Sequence, residues 1–187
     1  PFDMHYITTT HLLDLVHPKT LVVNDPFWVR NYPEKLLVLN FPNLAPPTTI
    51  ARDIETIRAF KEKYQDIILK PLYGNGGTGV FRLDAYDKNL SSLHELFINF
   101  SREPLIAQKF LPEVSNGDKR VIMIEGKPVG GINRIPPEGE IRSNMHVGGR
   151  PAKVSLSERD LEITETKKDL ERVPFGQLVE RGLLKPG

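Results

Sequence analysis

A glycine-rich segment preceded by a lysine is the part of the sequence whose residue types most directly indicate chemistry. Gly74, Gly76 and Gly79 have the spacing G-x-G-x-x-G, and Lys70 lies on the segment that leads into them. Where side chains are absent, backbone N–H groups can approach an anion closely, and a nearby ammonium group adds positive charge. Residues 74–79, here called the glycine loop, are therefore predicted to bind phosphate. Hairpin tips of this composition also occur as ordinary turns.

The elements on either side of the glycine loop decide which kind of phosphate site it forms. A dinucleotide-binding fingerprint requires a strand before the glycines and a helix after them. Residues 66–73 predict a buried strand, and residues 80–83 alternate with period two, which predicts a second strand in place of a helix. We therefore expect a glycine-rich hairpin that forms a flap over a polyphosphate. The hydroxyl of Thr78 is an additional donor in this interpretation.

The rest of the chain predicts alternating helices and strands. Helices are expected over residues 8–16, over 54–65 with Asp53 as N-cap, and over 90–100. Strands are expected over residues 20–23, 105–111, 120–124 and 128–132. The Pro46-Pro47 pair predicts an extended connector. A loop rich in Gly and Pro is expected over residues 136–149, and a charged helix over 156–171.

Composition excludes several classes of function. The 25 Lys and Arg residues nearly balance the 24 Asp and Glu residues, so overall charge predicts neither a nucleic-acid nor a membrane partner. The absence of cysteine excludes disulfides, thiolate metal sites and a cysteine nucleophile. The first ten residues do not resemble a signal peptide, and no apolar run approaches the ~18 residues of a membrane span. We therefore expect a cytoplasmic protein. His146 has no partner at metal-ligand spacing and is left out of the catalytic set.

Six separated motifs point to a family. They are DIILKPL at residues 66–72, GNGGTG at 74–79, QKFLP at 108–112, GDKR at 117–120, NRIP at 133–136 and RSNMHVGGR at 142–150. In order and approximate spacing they resemble the prokaryotic glutathione synthetases of the ATP-grasp superfamily, and the similarity extends over residues 1–162. The resemblance implies an α+β, ATP-grasp fold, in which two small α/β lobes with antiparallel sheets hold ATP and the glycine loop tips a hairpin flap.

The resemblance also implies a division of the chain. We expect residues 1–45 to be the remnant of a preceding lobe and a linker, and residues 46–112 to be the ATP-grasp small lobe with the glycine flap. Residues 113–162 would then form the large-lobe hairpin and lid loop, and residues 163–187 a divergent tail. The family has an N-terminal lobe ahead of the stretch that resembles Pro1–Asp3. The chain is therefore expected to represent a central portion.

ATP is the cofactor that the resemblance implies. Phosphates would contact Lys70 and Lys35, adenine would lie along residues 108–111, and Asp118 would accept from the ribose hydroxyls or orient Lys119 and Arg120. The strand at 108–111 is also consistent with an ordinary core strand, and Gly-Asp is a typical turn pair. The expected ATP-binding residues are Lys35, Lys70, Gly74, Asn75, Gly76, Gly77, Thr78, Gly79, Gln108, Lys109, Phe110, Leu111 and Asp118.

The chemistry implied by the resemblance is the ligation of a carboxylate to an amine. The γ-phosphoryl of ATP would activate γ-glutamylcysteine as an acyl phosphate, which glycine then attacks; positioning and charge take the place of a protein nucleophile. Arg120 and Arg134, expected at corresponding places on two hairpin strands, and Asn144 are the expected catalytic residues. Solvated ion pairs are the alternative for each arginine. Arg142, Gly148 and Gly149, in a lid loop, are expected to bind substrate.

The metal site is the part of the family pattern that the sequence does not supply. The family uses Mg²⁺, held beyond the lid by a strand pair ending in an acidic-x-Asn motif, and this motif does not occur between Leu161 and Gly187. The metal ligands are therefore unknown. The expected partners are ATP, γ-glutamylcysteine and glycine, and a homo-oligomer stays open. Two alternatives also stay open: a truncated, non-catalytic ATP-binding module, and an ATP-grasp ligase for another peptide or amino acid.

Overall fold

The computed structural model describes residues 2–124 and 126–164, and the predicted tail from residue 165 onward lies outside the described residues. The helices are α1 (Met4–Val16), α2 (Pro26–Asn31), α3 (Glu34–Leu37), α4 (Ile54–Tyr64), α5 (Leu90–Phe100) and α6 (Glu158–Thr164). The strands are β1 (Thr48–Ala51), β2 (Ile67–Pro71), β3 (Phe81–Leu83), β4 (Leu105–Lys109), β5 (Asp118–Ile124), β6 (Lys127–Ile135) and β7 (Arg150–Lys153). The expected α+β class with antiparallel sheets is confirmed.

The chain divides into two compact units. The first, here called the flap unit, contains residues 35–116 and 136–149. The second, here called the hairpin unit, contains, among the described residues, 2–34, 117–124, 126–135 and 150–164. The flap unit carries a four-stranded sheet in the order β1-β4-β2-β3, and the hairpin unit carries a three-stranded sheet in the order β5-β6-β7. Every pairing between adjacent strands is antiparallel.

One face of the flap-unit sheet forms the hydrophobic core. Along β2, Ile67 and Leu69 are fully buried, while the alternate residues Ile68 and Lys70 are only partly buried. Because side chains alternate across a strand, all the core residues of the four strands fall on the same face. α4 and α5 cover this face, and the cluster consists of Ala51, Ile57, Ile67, Leu69, Leu83, Leu90, Leu105 and Ala107. Lys70 and its neighbours are thereby placed on the opposite face.

Capping residues set where the predicted helices begin. The N-cap role of Asp53 is confirmed, since its carboxylate accepts from the N–H of Thr56 at 2.8 Å. The first helix begins at Met4, earlier than predicted, because Asp3 caps it through the N–H of Tyr6 at 2.9 Å. The sequence prediction missed α2, although Asp25 as N-cap followed by Pro26 is a helix-start signal.

The strand predicted over residues 20–23 is wrong. Leu21 and Val23 are 80% and 79% exposed, and this segment pairs with no other strand in the described part of the chain. β-branched residues favour a strand only where the pleated surface packs against something, so the local propensity is not realised here. The prediction also missed β1 and β7, which each pair along one edge of a sheet.

Replacement of Leu69 by Ala tests the importance of the covered face. Leu69 is fully buried in β2, so Leu69→Ala should lower the free energy of unfolding by about 2–5 kcal/mol, through lost burial and a residual cavity. The matched control is Leu96→Ala on α5, where the side chain is 46% exposed and the loss should be well below that range. Urea unfolding followed by circular dichroism measures both. Equal losses for the two variants would contradict this assignment of the core.

Candidate functional site

The face of the flap-unit sheet opposite the core brings two predicted site residues into contact. Lys70 on β2 and Gln108 on β4 lie on this face, and the Lys70 Nζ donates to the Gln108 Oε1 at 2.6 Å. The Gln108 amide nitrogen in turn donates to the Thr48 hydroxyl on β1 at 2.9 Å. This chain of hydrogen bonds crosses three strands and orients the ammonium group of Lys70. The structure therefore brings together Lys70 and Gln108, which the sequence analysis assigned separately to the phosphates and to the adenine.

The predicted strand-glycine-strand hairpin is confirmed. β2 and β3 pair antiparallel, and the glycine loop connects them. Gly76 and Gly77 have φ values of 65° and 85°, the left-handed conformation of both central residues in a type I′ turn, and the N–H of Thr78 donates to the Asn75 carbonyl at 3.3 Å. Residues with a Cβ rarely adopt these angles, which is why glycine occupies both positions.

The glycine loop leaves backbone donors available to an anion. In the described part of the chain, the N–H groups of Gly76, Gly77 and Gly79 donate to no protein acceptor. The Lys35 Nζ donates to the Pro71 carbonyl at 2.5 Å and lies 3.9 Å from the position that a Cβ on Gly74 would occupy. A second ammonium group therefore lies where β2 enters the loop. Three N–H groups and a lysine at the loop are donors of the kind that bind phosphate oxygens.

The backbone hydrogen-bonding groups of residues 108–111 are less available to a ligand than the sequence suggests. β4 lies between β1 and β2, and the N–H groups of Lys109 and Phe110 donate to the Pro47 and Asp66 carbonyls, each at 2.9 Å. The Lys109 carbonyl also faces Pro47, which has no N–H to donate. This carbonyl is consequently a polar backbone group at the end of β4 that the pairing with β1 does not use. The side chain of Leu111 is 47% exposed beside it.

Phe110 is held by residues that the sequence analysis did not identify. Its ring is 8% exposed and lies beneath the guanidinium of Arg82, with 4.1 Å from the Arg82 Cζ to the ring centroid. Arg82 also donates to both carboxylate oxygens of Asp66 at 3.0 and 2.6 Å, and this hydrogen bonding raises the pKa of Arg82. Arg82 pairs with Ile68 across β2 and β3, so the alternation along β3 could have placed it on the same face as Lys70.

Residues 140–149, here called the lid loop, contact the glycine loop within the flap unit. Arg142 donates from Nη1 to the Gly77 carbonyl at 3.3 Å. The Asn144 Oδ1 lies 2.8 Å from the position of a Cβ on Gly77, so any side chain there would collide with it. The His146 Cδ2 lies 3.5 Å from the corresponding position on Gly76. The structure therefore brings two predicted site residues, Arg142 and Asn144, onto the predicted phosphate loop.

A carboxylate that the sequence analysis missed holds Arg142 in place. The Glu140 Oε2 accepts from the Arg142 Nη2 at 2.6 Å, and the Glu140 Oε1 accepts from the N–H groups of Ile141 and Arg142 at 2.9 and 3.3 Å. The hydrogen bond from the Arg142 side chain is the main cause that lowers the pKa of Glu140 to about 2. Glu140 is therefore ionised at neutral pH. Its position two residues before an arginine gave no signal of this contact.

Gly148 and Gly149 close the lid loop. Gly148 has a φ of 94°, and the N–H of Gly149 donates to the Asn144 carbonyl at 3.1 Å. A Cβ on Gly149 would collide with the backbone carbonyl of Ser143. Both glycines are therefore required by the backbone path of the loop in this structure. The role in substrate binding that the resemblance implies for them stays a prediction.

The remaining predicted residues lie in the hairpin unit. Arg134 on β6 donates to both carboxylate oxygens of Asp118 on β5, each at 2.6 Å, and the Arg134 side chain is 14% exposed. Asp118 therefore contacts Arg134, whereas Lys119 forms an ion pair with Asp160. The two arginines do not lie directly opposite each other, because Arg120 pairs with Ile132 and Arg134 with Asp118. They share one face of the hairpin but are displaced along it.

Neither a metal-binding cluster nor a membrane-spanning helix is found in the described part of the chain. Among residues 2–124 and 126–164, no group of three or more His, Asp or Glu residues has an arrangement that could hold a metal ion. No helix within these ranges is long and apolar enough to cross a membrane.

Comparison with known families and proteins places these features in context. The family model described as prokaryotic glutathione synthetase, ATP-grasp domain, matches residues 34–184, and the N-terminal domain model of the same family matches residues 1–30. The glutathione synthetase of Brucella melitensis biotype 1 is 60% identical over 163 residues, which cover 87% of this chain and 52% of that protein. The glutathione synthetase of Bradyrhizobium diazoefficiens is 48% identical over 187 residues, which cover 100% of this chain and 57% of that protein.

The chain thus spans about half the length of the curated relatives that it matches. Among solved structures, D-cycloserine synthetase DcsG superposes with a TM-score of 0.65 at 14% identity, covering 91% of this chain and 62% of that one. The ATP-grasp ligase PsnB, complexed with a phosphomimetic variant of its minimal precursor, Mg and ADP, superposes with a TM-score of 0.60 at 20% identity, covering 88% and 50%. These likenesses confirm the expected ATP-grasp fold. The family match confirms the expected resemblance: the chain belongs to the prokaryotic glutathione synthetase family.

Proposed function

We propose that the protein to which this chain belongs is an ATP-dependent carboxylate-amine ligase of the glutathione synthetase type. In this proposal γ-glutamylcysteine is activated as an acyl phosphate and glycine attacks it. The observation that supports the proposal is the glycine loop of a chain of this family. Its three unpaired N–H groups lie near Lys35 and follow the strand that carries Lys70, and all of these are donors suited to phosphate oxygens. The substrates follow from the family, because the relatives are glutathione synthetases.

The flap unit supplies most of the proposed ATP contacts. The phosphate oxygens would accept from Gly76, Gly77 and Gly79 and from the two lysines, with the other glycine-loop residues forming the turn. The purine would lie at the end of β4, where the Lys109 carbonyl accepts from its amino group and Phe110 and Leu111 supply an apolar boundary. In the hairpin unit, Asp118 would accept from the ribose, because each carboxylate oxygen has a second lone pair beyond its bond to Arg134.

The proposed reaction has two steps. A carboxylate oxygen of the first substrate attacks the γ-phosphorus of ATP, and ADP leaves as the bond to the bridging oxygen breaks. The amine of glycine then attacks the acyl carbon, phosphate leaves with the bonding electron pair, and the amine loses a proton. Arg120 and Arg134 would stabilise the negative charge on the transferred group, and the Asn144 amide would donate to the intermediate. Arg142, Gly148 and Gly149 belong to the lid loop, which would exclude water from the acyl phosphate.

Mg²⁺ is the proposed metal cofactor of the complete enzyme. When bound, it neutralises charge on the phosphate oxygens of ATP. No cluster of acidic or histidine residues in the described ranges fits this ion, so no step above passes through it.

The proposal places the protein in the cytoplasm, with ATP and the two small substrates as partners and with neither nucleic acid nor membrane as a partner. The near balance of charges supports small substrates over polyanions. A homo-oligomer stays a prediction.

Replacement of Lys70 tests the phosphate assignment. Lys70→Ala should weaken ATP binding roughly 10- to 100-fold, because a charge-assisted hydrogen bond to phosphate contributes about 1.5–3 kcal/mol. Isothermal titration of the 187-residue chain with ATP measures the dissociation constant. Lys88→Ala, at an exposed loop lysine, is the matched control and should bind ATP as the unaltered chain does. An unchanged ATP affinity in Lys70→Ala would refute the assignment.

Trapping of the acyl phosphate tests the proposed chemistry. With Mg²⁺, ATP and γ-glutamylcysteine, glycine should give glutathione and an equal amount of ADP. Hydroxylamine in place of glycine should give the γ-glutamylcysteine hydroxamate, because it attacks the same acyl carbon. Mass spectrometry detects both products. ATP binding without ADP release would instead support the non-catalytic module, and ADP release only with another carboxylate or amine would support a ligase of different specificity.

A further inference from the structure

Glu140 accepts hydrogen bonds from both the backbone and the side chain of Arg142 in the lid loop. One carboxylate oxygen accepts from the N–H groups of Ile141 and Arg142 at 2.9 and 3.3 Å, and the other accepts from the Arg142 Nη2 at 2.6 Å. A side chain that bonds both ends of the same neighbour restricts the rotamers of that neighbour. The Arg142 guanidinium is therefore fixed relative to its own backbone. Both side chains are partly buried, with 27% of Glu140 and 30% of Arg142 exposed.

The fixed guanidinium is directed at the apex of the glycine loop. The Arg142 Nη1 donates to the carbonyl of Gly77, the second central residue of the turn over residues 75–78. This carbonyl shares a peptide plane with the N–H of Thr78, which closes the turn onto Asn75 through a long bond of 3.3 Å. A restraint on the Gly77 carbonyl is therefore a restraint on the turn. The Asn144 side chain, from the same lid loop, lies close to Gly77 as well, with its Oδ1 2.8 Å from the position of a Cβ there.

We propose that Glu140 is a positioning residue that holds the Arg142 guanidinium on the Gly77 carbonyl. The contacts of Glu140 with Arg142 and of Arg142 with Gly77, here called the clasp, join the lid loop to the glycine loop. The clasp would hold the turn that presents the N–H groups of Gly76, Gly77 and Gly79 to a polyphosphate. Glu140 acts through Arg142 and touches no substrate. The inference rests on the proposed function only for the identity of the ligand, because every contact of the clasp lies within the flap unit.

The ionisation of Glu140 supports the clasp over a wide pH range. The side-chain hydrogen bond from Arg142, followed by the backbone N–H groups, lowers the pKa of Glu140 to about 2. A lowered pKa in the folded state means that the interaction is fully present above the ordinary pKa of a glutamate, about 4.3, and is lost as the pH falls towards about 2. Glu140 is therefore ionised at any pH used to measure ATP binding.

A purely local role for Glu140 is the competing explanation, in which it caps the lid loop without affecting the glycine loop. Glu140→Gln separates the two roles, because the amide keeps the shape and loses the charge. Backbone ¹⁵N relaxation on the nucleotide-free 187-residue chain measures the order parameters of the Gly76, Gly77 and Gly79 amides. We expect them to fall from the rigid value of about 0.85 to below about 0.6 in Glu140→Gln. Order lost in the lid loop alone would overturn the proposal.

Glu138→Gln is the matched control. It removes the same charge from an exposed position two residues earlier, with no hydrogen-bond or ion-pair partner in the described part of the chain. The glycine-loop amides of this variant should keep the order parameters of the unaltered chain. Equal losses in both glutamine variants would mean that net charge, and not the clasp, controls the glycine loop, and this would also overturn the proposal.

ATP titration gives a second readout. Glu140→Gln and Arg142→Gln should each raise the dissociation constant for ATP about 10-fold, and the double variant should raise it no further, because each single change already opens the clasp. A double variant weakened about 100-fold would show two independent effects and would contradict the proposal. If Glu140→Gln fails to fold, Arg142→Gln provides both measurements. If the unaltered chain binds no ATP, the proposed function fails, whereas the relaxation experiment still decides whether the clasp exists.

Discussion

The flap-unit sheet must bury one face beneath α4 and α5, and this constraint determines which side chains remain to meet a ligand. Strand alternation directs Ile67 and Leu69 into the core, so Lys70 has to lie on the opposite face. The register between β2 and β4 then brings Gln108 within hydrogen-bond distance of Lys70. A shift of one residue in either strand would bury the lysine and expose the leucine. The stability of the core and the position of the ammonium group therefore have the same origin.

The glycine loop obeys a second constraint, which acts through the backbone. Its turn has positive φ at Gly76 and Gly77, and a Cβ on Gly77 would also require the Asn144 side chain to move. The same absence of side chains exposes N–H groups that no protein acceptor uses in the described residues. A polar backbone without partners is tolerated only where water or a ligand can reach it. The loop thus leaves these N–H groups to water or to a ligand.

The features that the sequence predicts correctly are local ones. Asp53 as N-cap, the periodicity of α5 and the strand-glycine-strand hairpin each depend on one continuous segment of the chain, the longest being residues 67–83. The contacts that the sequence did not indicate depend on tertiary geometry: Lys35 with Pro71, Arg82 with Phe110, and Arg142 with Gly77. Residues 20–23 are the opposite case, in which a local signal gave a wrong prediction. They have strand propensity, but no strand in the described residues pairs with them. The pairing of Asp118 with Arg134 likewise follows from the register of β5 and β6.

The pairing of Asp118 with Arg134 changes the role that Arg134 can have in the hairpin unit. Arg134 is largely buried, and its bidentate contact with Asp118 offsets the cost of removing the charge from water. The pair has no net charge, but the guanidinium has five N–H donors, and three of them remain for another acceptor. In the proposed reaction Arg134 is therefore a fixed array of donors whose orientation Asp118 sets. Arg120 is exposed on the same face, and in the proposed reaction it would supply the net positive charge for the transferred phosphoryl group. In this proposal Arg134 would orient the transferred group and Arg120 would supply the positive charge, so the two tasks fall to different side chains.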